Sequence, residues 1–296
     1  MDKIIVSIPA YNEGKTIAVV IKEIKQVMEK HNYNFQVLVV DDGSKDKTAE
    51  AAKSAGAVVF SHQTNMGLAE TFRTETQKCL ELKADIIVHI DADGQYLPSE
   101  IPKLVSELKN GYDLVLGSRF AGKIESMPLV KRWGNRMFSR VISNITKTKI
   151  TDGQTGFRAF TAKFAREVQI RSSHTYTQEQ IIRAIKDKYR VKEVPVYFAK
   201  RKEGESRLMK GPLRYALRAW INILRVYRDY EPLKFFGSVG MSMISLSILV
   251  FLVILYFFIT RGRSVLDNMI PTIILGIFLF LSGLQILLFG FLADKE

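Results

Sequence analysis

Residues 86–98 read Ile86-Ile87-Val88-His89-Ile90-Asp91-Ala92-Asp93-Gly94-Gln95-Tyr96-Leu97-Pro98. An aliphatic run over Ile86–Ile90 stops abruptly at two carboxylates. Such a run matches a strand covered on both faces. Gly94 and Pro98 then break the extended stretch. Carboxylates at alternate positions of a strand end point to one side. Asp91 and Asp93, joined by the Gln95 amide, make a hard-oxygen cluster suited to Mg2+ or Mn2+ that keeps waters and grips a substrate diphosphate. A solvated acidic turn is the plainer alternative, and Asp-x-Asp alone does not decide between them.

The flanking chain repeats the strand signal at Lys3–Ile8, Val37–Val40, Ala57–Phe60 and Asp113–Leu116. Helical spacing separates these runs, over Lys15–Lys30, about Lys47–Ala55, the stretch up to Leu82, and Pro98–Lys109. The alternation predicts an α/β fold with a mostly parallel sheet and helices on both faces. Ligands of such sheets bind beyond the carboxyl ends of the strands. Three polar clusters far apart in sequence fall at such ends: Tyr11/Glu13, Asp41/Asp42 and Asp91/Asp93/Gln95. Neither GxGxxG after the first strand nor GxxxxGK[ST] occurs, which excludes a dinucleotide fingerprint and a P-loop. Asp42 could accept from a nucleotide base or ribose, or cap the helix that follows it. His89, inside a buried run, reads as packed rather than catalytic.

Beyond Arg119 the pattern changes. Ser126–Lys147 is basic and interleaved with Trp133, Met137, Phe138, Val141 and Ile142, and Arg132, Arg136 and Arg140 recur every four residues on one helical face. It reads either as an ordinary surface helix or as one offering guanidinium groups to phosphate at a membrane. Gly153–Arg158 reads as a glycine-bounded turn carrying polar groups, which either lines the site or simply turns the chain. Val191–Phe198 is a strand expected at a sheet edge, because Pro195 cannot donate to a ladder. Lys200–Arg207 mixes glycine with basic residues, as a loop closing on a diphosphate would, or as a solvated loop would. Pro212–Tyr230 is amphipathic and suits a membrane interface.

Phe235–Thr260 and Asn268–Ala293 carry no charged residue, and each exceeds the roughly 20 residues needed to span a bilayer. They predict a membrane hairpin. The expected organisation is a catalytic domain over 1–207 with a basic membrane-facing segment at 119–147, an interface helix at 208–232, and a hairpin at 233–296. The formal net charge is +13. Arg119–Lys147 has seven basic residues and one acidic, and Lys200–Asp229 has nine basic and three acidic. Two segments before the hairpin thus hold nearly all the excess. That favours an anionic leaflet and phosphate-bearing lipid over nucleic acid as partner. The charge bias predicts a multi-pass protein of the cell membrane or an ER-type membrane, with the domain and both termini cytoplasmic. MDKIIVSIPAYNE lacks a basic segment followed by a long apolar run, so no cleavable signal peptide is expected. Cys79 is the single cysteine, which excludes an intrachain disulfide.

IPAYNE, VVDDGSKDKT, NMGLA, DADGQY, GSRF, QTGFR and RKEGESR follow one another between Lys3 and Arg207. In this order they resemble the family-2 glycosyltransferases of the GT-A type, and within them the polyprenyl- or dolichyl-phosphate sugar synthases. The resemblance implies a Rossmann-like GT-A catalytic domain. It also implies that Pro9, Tyr11, Glu13, Val40, Asp42, Asp91, Ala92, Asp93, Gln95, Arg119, Arg201, Ser206 and Arg207 hold the nucleotide sugar. Asp91, Asp93 and Gln95 would bind the metal. Arg119, Arg132 and Arg136 would meet the acceptor phosphate, with Asp93, Arg119 and Arg132 taken as catalytic. Many relatives carry lysine where this chain has Arg207. The implied reaction is inverting transfer of a hexose from GDP-mannose, UDP-glucose or UDP-N-acetylglucosamine to a polyprenyl monophosphate, in protein or cell-surface glycosylation. Two alternatives are a processive polysaccharide synthase, whose QxxRW segment is absent from the sequence, and a non-catalytic nucleotide-sugar binder. The base, the sugar and any homo-oligomer stay open.

Overall fold

The computed structural model describes residues 1–171, 176–200, 212–262 and 269–294, and only the backbone of 212–216, 218, 219 and 222. The aliphatic runs become strands. In chain order, β1 (Lys3–Ala10), α1 (Ile17–Lys30), β2 (Asn34–Asp41), α2 (Thr48–Ser54), β3 (Val58–Ser61), α3 (Leu68–Glu81) and β4 (Ile86–His89) form an alternating first half. A short 3-10 turn, Pro98–Glu100, leads into α4 (Ile101–Lys109). Then come β5 (Leu114–Ile124), α5 (Leu129–Thr146), β6 (Arg158–Thr161), α6 (Ala162–Glu167), α7 (Thr177–Lys186) and β7 (Val191–Phe198).

One seven-stranded sheet orders these strands β3-β2-β1-β4-β6-β5-β7. β6 runs antiparallel to both β4 and β5, and every other neighbouring pair is parallel. The expected mostly parallel α/β sheet is what forms. Residues 153–157 turn as expected, but β6, which starts at Arg158, adds a strand that the sequence does not announce. It is four residues long and opens on the fully buried Arg158. So short a strand with a charged first residue offers no alternation to read. β7 lies at the sheet edge, as Pro195 required.

Alternation along β1 explains the two layers. Ile4, Val6 and Ile8 share a core with Ile17, Ile21 and Ile24 of α1, Ala52 of α2 and Leu104 of α4. The intervening face meets α3, where Phe72 packs edge-on to His89 and tilts against Phe160. Each fully buried aliphatic side chain contributes about 1.5–3 kcal/mol. From β1 the order runs outward to β2 and β3, then returns to β4 on the other side of β1. That reversal opens a crevice beyond the carboxyl ends of β1 and β4, where open α/β sheets bind ligands.

The chain divides into two units, Met1–Tyr215 and Ala216–Glu296. α8 (Pro212–Tyr230) straddles the division. In the second unit, α9 (Pro232–Arg261) and α10 (Ile270–Ala293) pack as an antiparallel hairpin. A Cβ on Gly240 would lie 2.6 Å from the Gly283 carbonyl oxygen, and one on Gly283 2.8 Å from that of Gly240. Only glycine lets the two backbones come this close. Ser247 Oγ donates to the Gly276 carbonyl at 2.7 Å. Leu249, Leu252, Phe278 and Phe289 face outward. Both helices are long and apolar enough to cross a bilayer.

Candidate active site at the carboxyl edge of the sheet

The loops after β1 and β2 are built as one body. The Asn12 backbone amide donates to Ser44 Oγ (2.8 Å), and Asn12 Oδ1 accepts from the Lys45 amide (2.7 Å). The Glu13 amide donates to Thr48 Oγ1 (2.8 Å). Pro9 and Val40 are register partners at the ends of β1 and β2. Val40 is 0 % exposed, backbone included, so it would support a ligand from beneath the rim. Tyr11 and Glu13 are half-buried at the rim.

Asp42 is buried and already engaged. Its Oδ1 accepts from the Met66 amide and lies against His62 Nδ1, both at 2.8 Å, while Oδ2 accepts from the Gly67 amide at 2.9 Å. This carboxylate therefore holds the turn that leads into α3. The helix it serves is not α2, the one that follows it in sequence. α2 begins after Lys47 with no side-chain cap.

Asp91 and Asp93 emerge just beyond β4, both half-buried. Burial, and then the Asp93 charge, push the Asp91 carboxyl up to about 6, against the opposing pull of His89 and Arg119. Two crowded carboxylates whose charge is disfavoured in this way suit a cation between them. Asp93 Oδ1 accepts from the Gln95 amide (3.0 Å). The Gln95 side-chain nitrogen donates to the Ala199 carbonyl (3.1 Å), and the Ala199 amide returns a bond to the Gln95 carbonyl (2.8 Å). Gln95 thus ties this turn to the end of β7, and its side-chain oxygen is the acceptor end. Ala92 is buried beneath the turn. Among the described residues no group of three or more His, Cys, Asp or Glu forms a closed cage. Two carboxylates and an amide oxygen fit a hard cation that keeps waters or a diphosphate in its shell.

The loop before β6 walls this cluster. Tyr96 is buried, and its hydroxyl accepts from the Gly156 amide and meets Thr155 Oγ1, both at 3.2 Å. A Cβ on Gly156 would lie 2.8 Å from Asp91 Oδ1 and 2.9 Å from its Cγ, so the carboxylate occupies the space a side chain would need. Ser139 of α5 accepts from the Gly153 amide at 3.0 Å, which fastens the arginine-bearing helix to the same loop.

Arg119 continues β5 into the site, but it is not held ready for phosphate alone. Its Nε and Nη2 clamp the two oxygens of Asp152 at 2.7 and 2.8 Å, and its amide adds a bond of 3.0 Å. Both residues are buried. Glu193 of β7 accepts from the Thr151 amide (2.8 Å) and the Asp152 amide (2.9 Å), fixing the pair from behind. The Arg119 guanidinium lies 5.9 Å from the Phe120 ring and 5.3 Å from that of Phe198; that of Arg136 lies 5.5 Å from Phe120. Arg119 and Arg136 therefore meet on Phe120, while Arg132 is exposed on α5. Arg201, Ser206 and Arg207 lie outside the described residues.

Tyr96, Asp152 and Glu193 were missed as site-building residues, whereas Gly156 lies in the glycine-bounded turn offered above as a lining of the site. Of these three, only Tyr96 had a signal, its place three residues beyond the Asp-x-Asp pair. His89 is packed, as expected, but in a polar setting: Nδ1 meets Glu75 at 2.6 Å and Nε2 the Tyr176 hydroxyl at 2.7 Å, all fully buried.

Residues 5–169 match the family described as Glycosyl transferase family 2. The chain is 34 % identical over 220 residues to the UDP-N-acetylglucosamine–dolichyl-phosphate N-acetylglucosaminyltransferase of Methanococcus voltae, covering 66 % of this chain and 85 % of that one. It is 30 % identical over 286 residues to the dolichol-phosphate mannosyltransferase of Pyrococcus furiosus, covering 93 % and 78 %. Among solved structures it resembles glucosyl-3-phosphoglycerate synthase from Mycobacterium tuberculosis in complex with Mn2+, UDP and glucosyl-3-phosphoglycerate, with TM-score 0.57, 18 % identity, and 75 % and 80 % of the two chains covered. That likeness concerns the fold. The family match takes in more than half of the chain, including every strand from β1 to β6 and the Asp91/Asp93 turn, and the protein belongs to glycosyl transferase family 2.

Proposed function

We propose that this glycosyltransferase moves a hexose from a nucleotide diphosphate sugar to a polyprenyl monophosphate at a membrane surface. The observation that carries the proposal is the crowded Asp91/Asp93 pair at the sheet's switch point, with Arg119 and Arg136 converging on Phe120 beside it. The named relatives act on dolichyl phosphate, and two helices of bilayer-spanning length in the same chain suit a lipid acceptor. Residues 1–207 would form the catalytic domain, 208–232 an interface helix and 233–296 the anchor, with the domain on the cytoplasmic side.

Asp91, Asp93 and the Gln95 oxygen would hold a divalent cation, Mg2+ or Mn2+. When bound, that cation neutralises charge on the departing nucleoside diphosphate. Pro9, Tyr11, Glu13, Asp42 and Ala92 would line the nucleotide end, with Val40 beneath them, where the fused loops after β1 and β2 give a rigid wall. Asp42 would act there through the turn it holds. The acceptor phosphate is already an anion and needs no strong base. What the protein must supply is position and relief of anion–anion repulsion. Arg132 and Arg136 supply it from α5. Arg119, orientated by Asp152, sets the local field while its own charge is matched. Arg201, Ser206 and Arg207 would close over the diphosphate.

A phosphorylated small acceptor is the second reading, because the solved neighbour carries a phosphoglycerate product. Labelled sugar nucleotides offered to the full chain in liposomes, with polyprenyl phosphate or phosphoglycerate, separate the two. Label in the lipid extract supports the first, and label in a glycosyl-phosphoglycerate resolved from the unreacted donor supports the second. Asp93→Asn is expected to abolish transfer while the protein still inserts. Near-normal turnover in that variant removes the metal assignment.

A further inference from the structure

His62 stands just beyond β3 and has no task in the proposed reaction, yet it is held by its backbone and by both ring nitrogens. Its backbone amide donates to the Asp41 carbonyl at 2.9 Å, which carries the pairing of β3 with β2 one residue further. Its ring bridges the end of β2 and α3: Nδ1 lies 2.8 Å from Asp42 Oδ1, and Nε2 lies 2.9 Å from Thr74 Oγ1. The Phe60 ring meets it edge-on at 5.8 Å. The His62 side chain is 11 % exposed and that of Asp42 7 %. An ionised carboxylate only accepts, so Nδ1 carries a proton, and in the neutral ring the Thr74 hydroxyl donates to Nε2. Thr74 thereby fixes both the tautomer and the tilt of the ring.

The consequence falls on Asp42. Its other donors, the Met66 and Gly67 amides, belong to one short turn and move with it. The terminal torsion of an aspartate is soft, so amides from a single turn do not by themselves fix where the carboxylate stands. His62 is a donor anchored outside that turn, on β2 and α3. The surroundings leave little slack: a Cβ on Gly43 would lie 2.6 Å from the Thr64 carbonyl carbon, so the loop after β2 touches the chain entering the turn. A shift of Asp42 is therefore passed to the wall at the nucleotide end.

We infer that His62 is a positioning residue for the sugar-nucleotide donor. Braced by Thr74, it pins the Asp42 carboxylate, and with it the turn at 65–67. The inference deepens the proposed function and rests on this chain binding a nucleoside diphosphate at that end. It gives His62 no part in the chemical step. A contact made equally in the ground and transition states changes affinity for the donor and leaves turnover at saturation alone.

Two amide side chains dissect the ring. An asparagine nitrogen falls where Nδ1 stands and can donate to Asp42, whereas a glutamine nitrogen falls nearer Nε2 and reaches Thr74 instead. His62→Asn and His62→Gln in the full chain are compared with the unaltered protein in detergent, by equilibrium dialysis against labelled GDP and UDP with Mn2+, beside a thermal melt that shows both variants folded. His62→Asn should bind the nucleotide within about twofold of the unaltered protein, and His62→Gln about tenfold more weakly, the lower end of what a hydrogen bond to a charged group contributes. In liposomes the same contrast should appear in the donor KM, with kcat and the acceptor KM unchanged. Equal affinities in the two variants, or a loss that appears in kcat, overturn the inference. Should His62→Gln not fold, Thr74→Val carries the test, because it keeps the shape of the side chain and releases Nε2. A fall in nucleotide affinity supports the brace, and unchanged affinity overturns it. An unaltered chain that binds neither GDP nor UDP sinks the proposed reaction and this inference together. Nucleotide binding that ignores the choice of amide at position 62 sinks this inference alone.

Discussion

Gly156→Ala places one methyl group where the Asp91 carboxylate already lies. The added carbon would meet Oδ2 closest of all, then Oδ1 at 2.8 Å and Cγ at 2.9 Å. Non-bonded atoms settle at about 3.5 Å, so the loop or the carboxylate must give by about 1 Å. Gly156 does not adopt a left-handed backbone, so alanine strains no dihedral and the effect is purely steric. The loop is braced by Tyr96 and Thr155, and Asp91 is half-buried, so neither moves freely. Overpacking of this kind costs about 1–3 kcal/mol of stability. A displacement of about 1 Å in a positioning group costs about 100-fold in rate. Transfer should thus fall far more than the unfolding midpoint does. Gly237→Ala is the control: its methyl meets only the δ1 methyl of Leu287, at an ordinary contact distance of 3.8 Å. The assay is label transferred from sugar nucleotide to polyprenyl phosphate by the full chain in liposomes, beside a thermal melt. A Gly156→Ala protein with wild-type turnover and an unshifted melt would refute the claim that this loop sets the Asp91 carboxylate.

Two further outcomes follow from buried groups. Asp152→Ala leaves Arg119 buried without its bidentate partner, and chemical denaturation should show a loss of about 3–5 kcal/mol; a loss under about 1 kcal/mol would mean that Arg119 swings out to solvent instead. Cys79 is fully buried, and burial, followed by the Glu75 charge, pushes its thiol well above the usual range. Mass spectrometry after iodoacetamide treatment at neutral pH should therefore find it unmodified until the protein is unfolded, and rapid labelling of native protein would contradict the packing around α3.

The parts of this fold that were legible in the sequence share a physical cause. β1, β2, β4 and the start of β5 are covered on both faces, so they announce themselves as unbroken aliphatic runs. Asp91 and Asp93 stood out because acids that end such a run have nowhere to go but the edge of the sheet. β6 was not legible: buried Arg158 opens it, with Nη1 donating at 2.8 Å to Gln180, more than twenty positions downstream in a helix. No local pattern records such a partner.

The same reasoning explains why the motifs gather at one edge of the sheet while leaving their individual tasks open. Asn12, Ser44 and Thr48 spend side-chain oxygens on backbone amides of the facing loop. Asp42 spends its carboxylate on amides across the chain, and Arg119 is matched to Asp152. A sequence motif marks where strand ends converge, and convergence demands residues that fasten loops together as well as residues that touch substrate. Asp91 and Asp93 differ from the others in kind, because burial, and then the charge of Asp93, raise the Asp91 carboxyl to about 6, an unfavourable charge that a bound cation would relieve. An electrostatic deficit that the fold builds in and a bound ion can satisfy is a stronger pointer to chemistry than membership in a motif. By that measure the turn after β4 is where substitutions should separate activity from stability most sharply.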